Sequence, residues 1–293
     1  MTAPQPRVVN AGGVPLSALL ADAAEPRAVV VALHGGGTTS AYFDCPGQPR
    51  LSLLRSGAAL GYTVIALDRP GYGSSAPYPE AMSNPEQRVA LAYTAIEKVL
   101  GDRPRGAGVF VLAHSNGCEL ALRMAADDRG TDLLGLELAG TGLHYHPAAA
   151  EVLRTARPDH RPAGLRELLW EPARLYPTEV LSGVTKAATG APYEAAMVSD
   201  WPRRDFPALA GQVRVPVRFS FAEHEKVWRS DAAARDEIRA LFTAAPRFAV
   251  NEQSDAGHNL SLGWTAAAYH LSVLSFVEEV VASTTPDADL EAG

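Results

Sequence analysis

Residues 108–124, GVFVLAHSNGCELALRM, constrain this chain more than any other stretch, because they demand three conformations in quick succession. An apolar run with β-branched residues reads as a strand, His114-Ser115-Asn116-Gly117 as a tight turn, and the remainder as a helix. That sequence of elements would hold the Ser115 hydroxyl at the tip of a sharp bend, exposed above the edge of a sheet, which points at a serine nucleophile. The bend wants small residues two places before and two places after the serine, so that neighbouring backbone can pass without a clash. Gly117 fills the second place and Ala113 the first, a relaxed form of the elbow usually written with two glycines.

Around this stretch, strand-like and helix-like patterns alternate. Residues 7–10 and 15–20, joined across Gly12-Gly13, read as a hairpin on an antiparallel edge. Further strands are expected at 28–33, 63–68, 133–139, 215–221 and 247–250, and helices at 51–60, 85–100, 230–242 and 264–281. The runs AVVVAL and TVIALD are apolar without alternation, as strands buried on both faces must be. Strands and helices at this spacing predict a mostly parallel, doubly covered sheet in the α/β class. In such sheets ligands bind at the carboxyl ends of the strands, and the glycine clusters at 35–37, at 71–73 and around Ser115 all fall there.

Residues 142–211 break the rhythm. Short helical patterns at 147–156, 165–170, 178–189 and 193–200 are punctuated by prolines, and no strand-like run interrupts them. The chain therefore divides into a core domain, 1–141 with 212–293, and a helical cap, 142–211, expected to lie over the rim and shape access to Ser115. A decoration without a gating role is the alternative. The acidic tail, 283–293, is expected to be frayed and solvated.

Charge excludes some functions. Against 33 acidic residues stand 26 lysines and arginines, a net of −7, which argues against nucleic acid or an anionic membrane as partner. No uncharged apolar run approaches the roughly 20 residues of a membrane span, and no secretory signal is visible at the N-terminus, so a cytoplasmic location is expected. Cys45 and Cys118 read as free thiols. His144 and His146 could be metal ligands, but no cysteine or carboxylate is placed to complete a set, so no metal is expected.

A serine hydroxyl needs a base to take its proton as it attacks. Of the eight histidines, His258 has the best context, in Ala-Gly-His after an expected strand. Its imidazole needs an acceptor to fix the tautomer, and Glu225 and Glu223 both stand at the carboxyl end of the preceding strand.

The order serine, acid, histidine is that of the α/β-hydrolase fold. The chain resembles that superfamily over nearly its whole length, on His34-Gly35-Gly36, on Asp68-Arg69-Pro70-Gly71-Tyr72-Gly73-Ser74, on the elbow at Ser115, on Ala222-Glu223-His224-Glu225 and on Gly257-His258. The resemblance implies an α/β-hydrolase fold with a helical cap insertion, with Ser115 as nucleophile, His258 as general base and Glu225 where the family usually has aspartate; Glu223 is the alternative acid. It implies oxyanion donors at the backbone of Asn116 and Gly36, with Gly37 next, and no metal or organic cofactor. Gly37, His144, Trp170 and Trp201 are candidates for contacting a small-molecule acyl substrate. The activity implied is hydrolysis of an ester, thioester, lactone or related acyl bond. The alternatives are a thioesterase, cyclase or acyltransferase working on a chain borne by an acyl carrier protein, and a catalytically silent scaffold that binds ligand. For carrier docking, the candidate basic patch is Arg154, Arg157, Arg161, Arg166, Arg203 and Arg204.

Overall fold

All residues of β3 (Val29–Leu33), β4 (Thr63–Leu67) and β6 (Leu133–Ala139) are buried in the computed structural model, which describes residues 3–154, 162–183 and 188–284. With β1 (Gln5–Ala11), β2 (Val14–Ala21), β5 (Val109–His114), β7 (Val217–Ala222) and β8 (Phe248–Gln253) they form one sheet in the order β1-β2-β4-β3-β5-β6-β7-β8. The β1–β2 hairpin is antiparallel and joins β4 antiparallel, while every pairing from β4 to β8 is parallel.

Successive side chains of a strand point to opposite faces, so the unbroken apolar run of β3 feeds two cores at once. Val29, Val31 and Leu33 pack with α2 (Pro85–Leu100) and α3 (Gly117–Ala126) on one face. Val30 and Ala32 pack with α1 (Leu53–Ala59) and the C-terminal helix, 266–284, on the other. Each fully buried valine or leucine contributes about 1.5–3 kcal/mol. Helix starts are set locally: the Asn84 side chain accepts from the Glu86 and Gln87 N–H groups, and Pro85 takes the first helical position, where its missing N–H costs nothing.

Strand β7 begins at Val217, two residues later than the sequence pattern predicts, because Pro216 has no N–H to give the ladder. Strand β8 runs three residues past its expected end, to Gln253. The inner strands also carry charge. Glu137 on β6 sits opposite Arg218 on β7 and is bound by it at 2.9 Å and by the Tyr269 hydroxyl at 3.0 Å, so both ions are paired where they are buried.

Between β6 and β7 the chain is helical: α4 (Pro147–Leu153), α5 (Leu165–Trp170), α6 (Thr178–Gly183), α7 (Glu194–Asp200) and α8 (Phe206–Ala210). Residues 155–161 and 184–187 of this segment, and the tail 285–293, lie outside the described residues, and with them Arg157, Arg161, part of the expected 178–189 helix, whose last two residues are not helical, and most of the acidic tail. The segment touches the carboxyl ends of several strands. The Tyr193 hydroxyl donates to Pro70 O after β4, the Trp201 indole to Thr141 Oγ1 after β6, and the Asn259 amide after β8 to Leu169 O. The helical cap therefore rests on that rim of the sheet. No described helix is long and apolar enough to cross a membrane.

Candidate active site

Ser115 lies between β5 and α3 with φ at +52°, in the left-handed region that a side chain enters only under constraint. Its N–H donates to Ala139 O at 2.8 Å and its carbonyl accepts from the Cys118 N–H at 2.9 Å, which closes the turn. The elbow packs hard against the end of β3. A Cβ on Gly117 would stand 2.4 Å from Leu33 O and 2.7 Å from His34 O, so only glycine lets the two backbones approach this closely.

The Ser115 hydroxyl donates to His258 Nε2 at 3.2 Å. On the other side of the ring, Nδ1–H donates to the Glu225 carboxylate, 3.0 and 3.1 Å from its two oxygens. The last two residues are almost fully buried, Glu225 after β7 and His258 after β8. Burial opposes ionisation of Glu225, but His258 and the N–H groups of Val227 and Trp228 more than offset it and hold the carboxyl below the usual glutamate range. Glu223, the alternative acid, is exposed and accepts instead from the Asp255 N–H at 2.8 Å. His114 is buried beside the serine, stacked on Tyr42, and donates from Nε2 to His258 O at 2.8 Å.

Two backbone N–H groups beside the serine, those of Asn116 and Gly36, donate to no acceptor among the described residues. Gly36 is exposed, between buried Gly35 and Gly37. The Gly37 N–H is spoken for: it donates to the Tyr72 hydroxyl at 3.0 Å, so Gly37 has no donor left for a ligand. The rest of the loop is equally engaged. Arg69 donates to His34 O at 2.5 Å and Gly35 O at 3.0 Å, and the His34 ring donates to Gly35 O while accepting the Arg69 N–H.

The other expected substrate contacts have neighbours of their own. The His144 ring, half exposed, pairs with Glu237 at 2.6 Å. Trp201 is core: it stacks on Phe206 with centroids 5.2 Å apart, and its N–H is satisfied by Thr141. Trp170 packs edge-on against Tyr176. Indole and imidazole rings in short helices serve core and pocket alike, and sequence spacing does not separate the two. His146 caps α4 by accepting the Ala148 N–H. Among the described residues one group has the composition of a metal site, Glu223, His224 and Asp255, with ligand atoms within 4.8 Å of one another; Glu223 and Asp255 are exposed. Of the arginines read as a docking patch, Arg154 pairs with Glu151, and Arg204 with Asp200 and Asp205.

The sequence reading missed three residues that shape this centre: Arg69 and Tyr72, passed over as part of a glycine loop, and Glu194 of α7, which binds both of them. Nothing in the spacing of Glu194 marked it. The burial of Arg69, which calls for a counter-ion, is visible only in the structure.

The sequence matches the family profile described as "Alpha/beta hydrolase family" over residues 30–268. Among solved structures, a bacterial membrane phospholipase A is similar at TM-score 0.70 and 17% identity, covering 94% of this chain and 87% of that one. The N-acyl homoserine lactonase AidH is similar at TM-score 0.66 and 18% identity, covering 94% and 97%. A thioesterase domain from the curacin biosynthetic pathway is similar at TM-score 0.62 and 19% identity, covering 93% and 100%. No curated protein matches the sequence.

Proposed function

This chain belongs to the alpha/beta hydrolase family, and we propose that within it the protein is a serine hydrolase that cleaves a carboxylic ester, thioester or lactone through an acyl-enzyme on Ser115. The observation that carries the reading is the continuous hydrogen-bonded line from Ser115 Oγ through the His258 ring to Glu225.

The chemistry follows from that line. Ser115 Oγ attacks the acyl carbon while His258 Nε2 takes its proton, and the ionised Glu225 holds the ring in the tautomer with Nδ1 protonated and stabilises the imidazolium. The oxygen that becomes negative in the tetrahedral intermediate is received by the uncommitted N–H groups of Asn116 and Gly36. Collapse expels the alcohol or thiol, which takes the proton back from Nε2, and water repeats the cycle to release the acid. Ser115 is bonded to His258, and His258 in turn to Glu225, which favours a working hydrolase over a silent scaffold. Of the six arginines read as a carrier-docking patch, Arg154 and Arg204 are already paired with carboxylates.

Labelling with a fluorophosphonate probe tests the reading. The wild-type protein reacts, and Ser115→Ala and His258→Ala do not. Labelling that persists in Ser115→Ala removes the proposed nucleophile. Hydrolysis rates on p-nitrophenyl acyl esters, compared with acyl thioesters of the same chain length, then order the substrate classes.

A further inference from the structure

Glu194 is a charged residue of the cap whose side chain is only 9% exposed. Both of its carboxylate oxygens are spent on the core. One accepts from Arg69 Nη2 at 2.6 Å, and the other from the Tyr72 hydroxyl, also at 2.6 Å. These two partners hold the loop after β3: Arg69 binds the carbonyls of His34 and Gly35, and Tyr72 accepts the Gly37 N–H. The carboxylate thus closes a ring of hydrogen bonds around Gly36 while leaving the Gly36 N–H itself uncommitted.

The charge balance makes the arrangement dependent on the cap. Arg69 is fully buried, and burial alone would disfavour its charge; Glu194 reverses that and keeps the guanidinium firmly protonated. Without Glu194, Arg69 would be an uncompensated ion beneath the loop, free to draw in water or to leave the carbonyls it now holds. The Tyr72 hydroxyl would likewise lose the acceptor that orients its lone pair toward Gly37.

We infer that Glu194 is a positioning residue: from α7 of the cap, through Arg69 and Tyr72, it fixes the loop that presents the Gly36 N–H, so that the oxyanion site is complete only when the cap is seated. This rests on the serine-hydrolase reading above. An opening that withdraws α7 takes with it the counter-ion of the loop's main anchor, and substrate entry and transition-state stabilisation are thereby tied to one side chain.

Kinetics on p-nitrophenyl butyrate test it, with Glu194→Ala, Glu194→Gln, Tyr72→Phe and the double variant Glu194→Ala/Tyr72→Phe, each checked for a cooperative thermal transition. Losing one oxyanion donor outright costs about 100- to 1000-fold in kcat, and a loop left loose should cost less. We expect Glu194→Ala to lower kcat about 30-fold with KM within about threefold, and affinity for an alkyl boronic acid, which forms a tetrahedral adduct on serine, to fall in parallel with kcat/KM. The double variant should lose no more than the worse single one, because both changes open the same ring. If Glu194→Ala does not fold, Glu194→Gln, which keeps the shape and removes the charge, decides with an expected loss of about tenfold. Folded Glu194 variants with wild-type kcat, or full additivity in the double variant, overturn the inference. A wild type that fluorophosphonate does not label at Ser115 fails the underlying reading instead, whereas a labelled wild type with fully active Glu194 variants fails this inference alone.

Discussion

The ring of His114 and the backbone of His258 are joined by a 2.8 Å hydrogen bond, so the residue immediately before the serine in sequence also holds the loop that carries the base. His114 Nε2 must donate there, since a carbonyl can only accept. Its Nδ1 is then left buried, with no hydrogen-bond partner among the described residues. A buried atom without a partner costs about 1–3 kcal/mol, a cost the fold tolerates in exchange for one anchored imidazole.

His114→Phe keeps the stacking on Tyr42 and removes only the donor. We expect kcat on an ester to fall roughly tenfold with little change in KM, because the His258 ring loses its fixed distance from Ser115. Steady-state kinetics check this, and an unchanged kcat would show that the loop holds its place without the bond.

The two glutamates of the acid loop should separate cleanly. In Glu225→Gln an amide N–H2 facing Nδ1 forces the ring into the opposite tautomer, with Nε2 protonated and unable to accept the serine proton. The expected loss in kcat is on the order of 1000-fold or more. Glu223→Gln, which touches only the Asp255 N–H, should stay within about twofold.

Gly117→Ala should damage the fold rather than the chemistry alone. The added methyl meets backbone carbonyls at 2.4 and 2.7 Å, and neither can move without shifting β3. Destabilisation of about 3 kcal/mol is expected in urea unfolding.

Stability should fall below neutral pH for a reason separate from catalysis. His34, His114 and His270 are fully buried, and burial first of all holds each ring neutral, His270 down to about 3. Each imidazole takes up a proton near pH 6.5 once the chain unfolds, so the unfolded state binds protons that the folded state refuses. The stability these rings allow is present above about pH 6.5 and lost as pH falls, by about 1.4 kcal/mol per pH unit for each ring. Among the described residues, His270 has no hydrogen-bond partner at either nitrogen. His270→Leu should therefore flatten the pH dependence of the urea midpoint between about pH 6 and 4 by one ring's share, and be no less stable at pH 8.

How far the sequence carried depended on whether the signal was local. The elbow, the apolar runs of β3 and β4, and the glycine after the serine are short-range patterns, each enforced by a steric or burial demand that acts within a few residues. Glu225 and His258 could be singled out because each follows a strand, and a strand's end is a place that periodicity marks. Glu194 had no such mark. Its role arises from where a proline-punctuated cap sets α7 down on the rim, which no periodicity encodes. Trp201 shows a related limit: an indole turned toward Phe206, as this one is, and one turned toward a ligand look the same in a string of letters.

The residues proposed as nucleophile, acid and base leave the sheet from three different strands, β5, β7 and β8, the last of which ends only at Gln253. A chain still emerging from the ribosome can complete the elbow long before it has an imidazole to activate it. On the mechanism proposed above, the serine has no imidazole to take its proton until the far edge of the sheet is laid down.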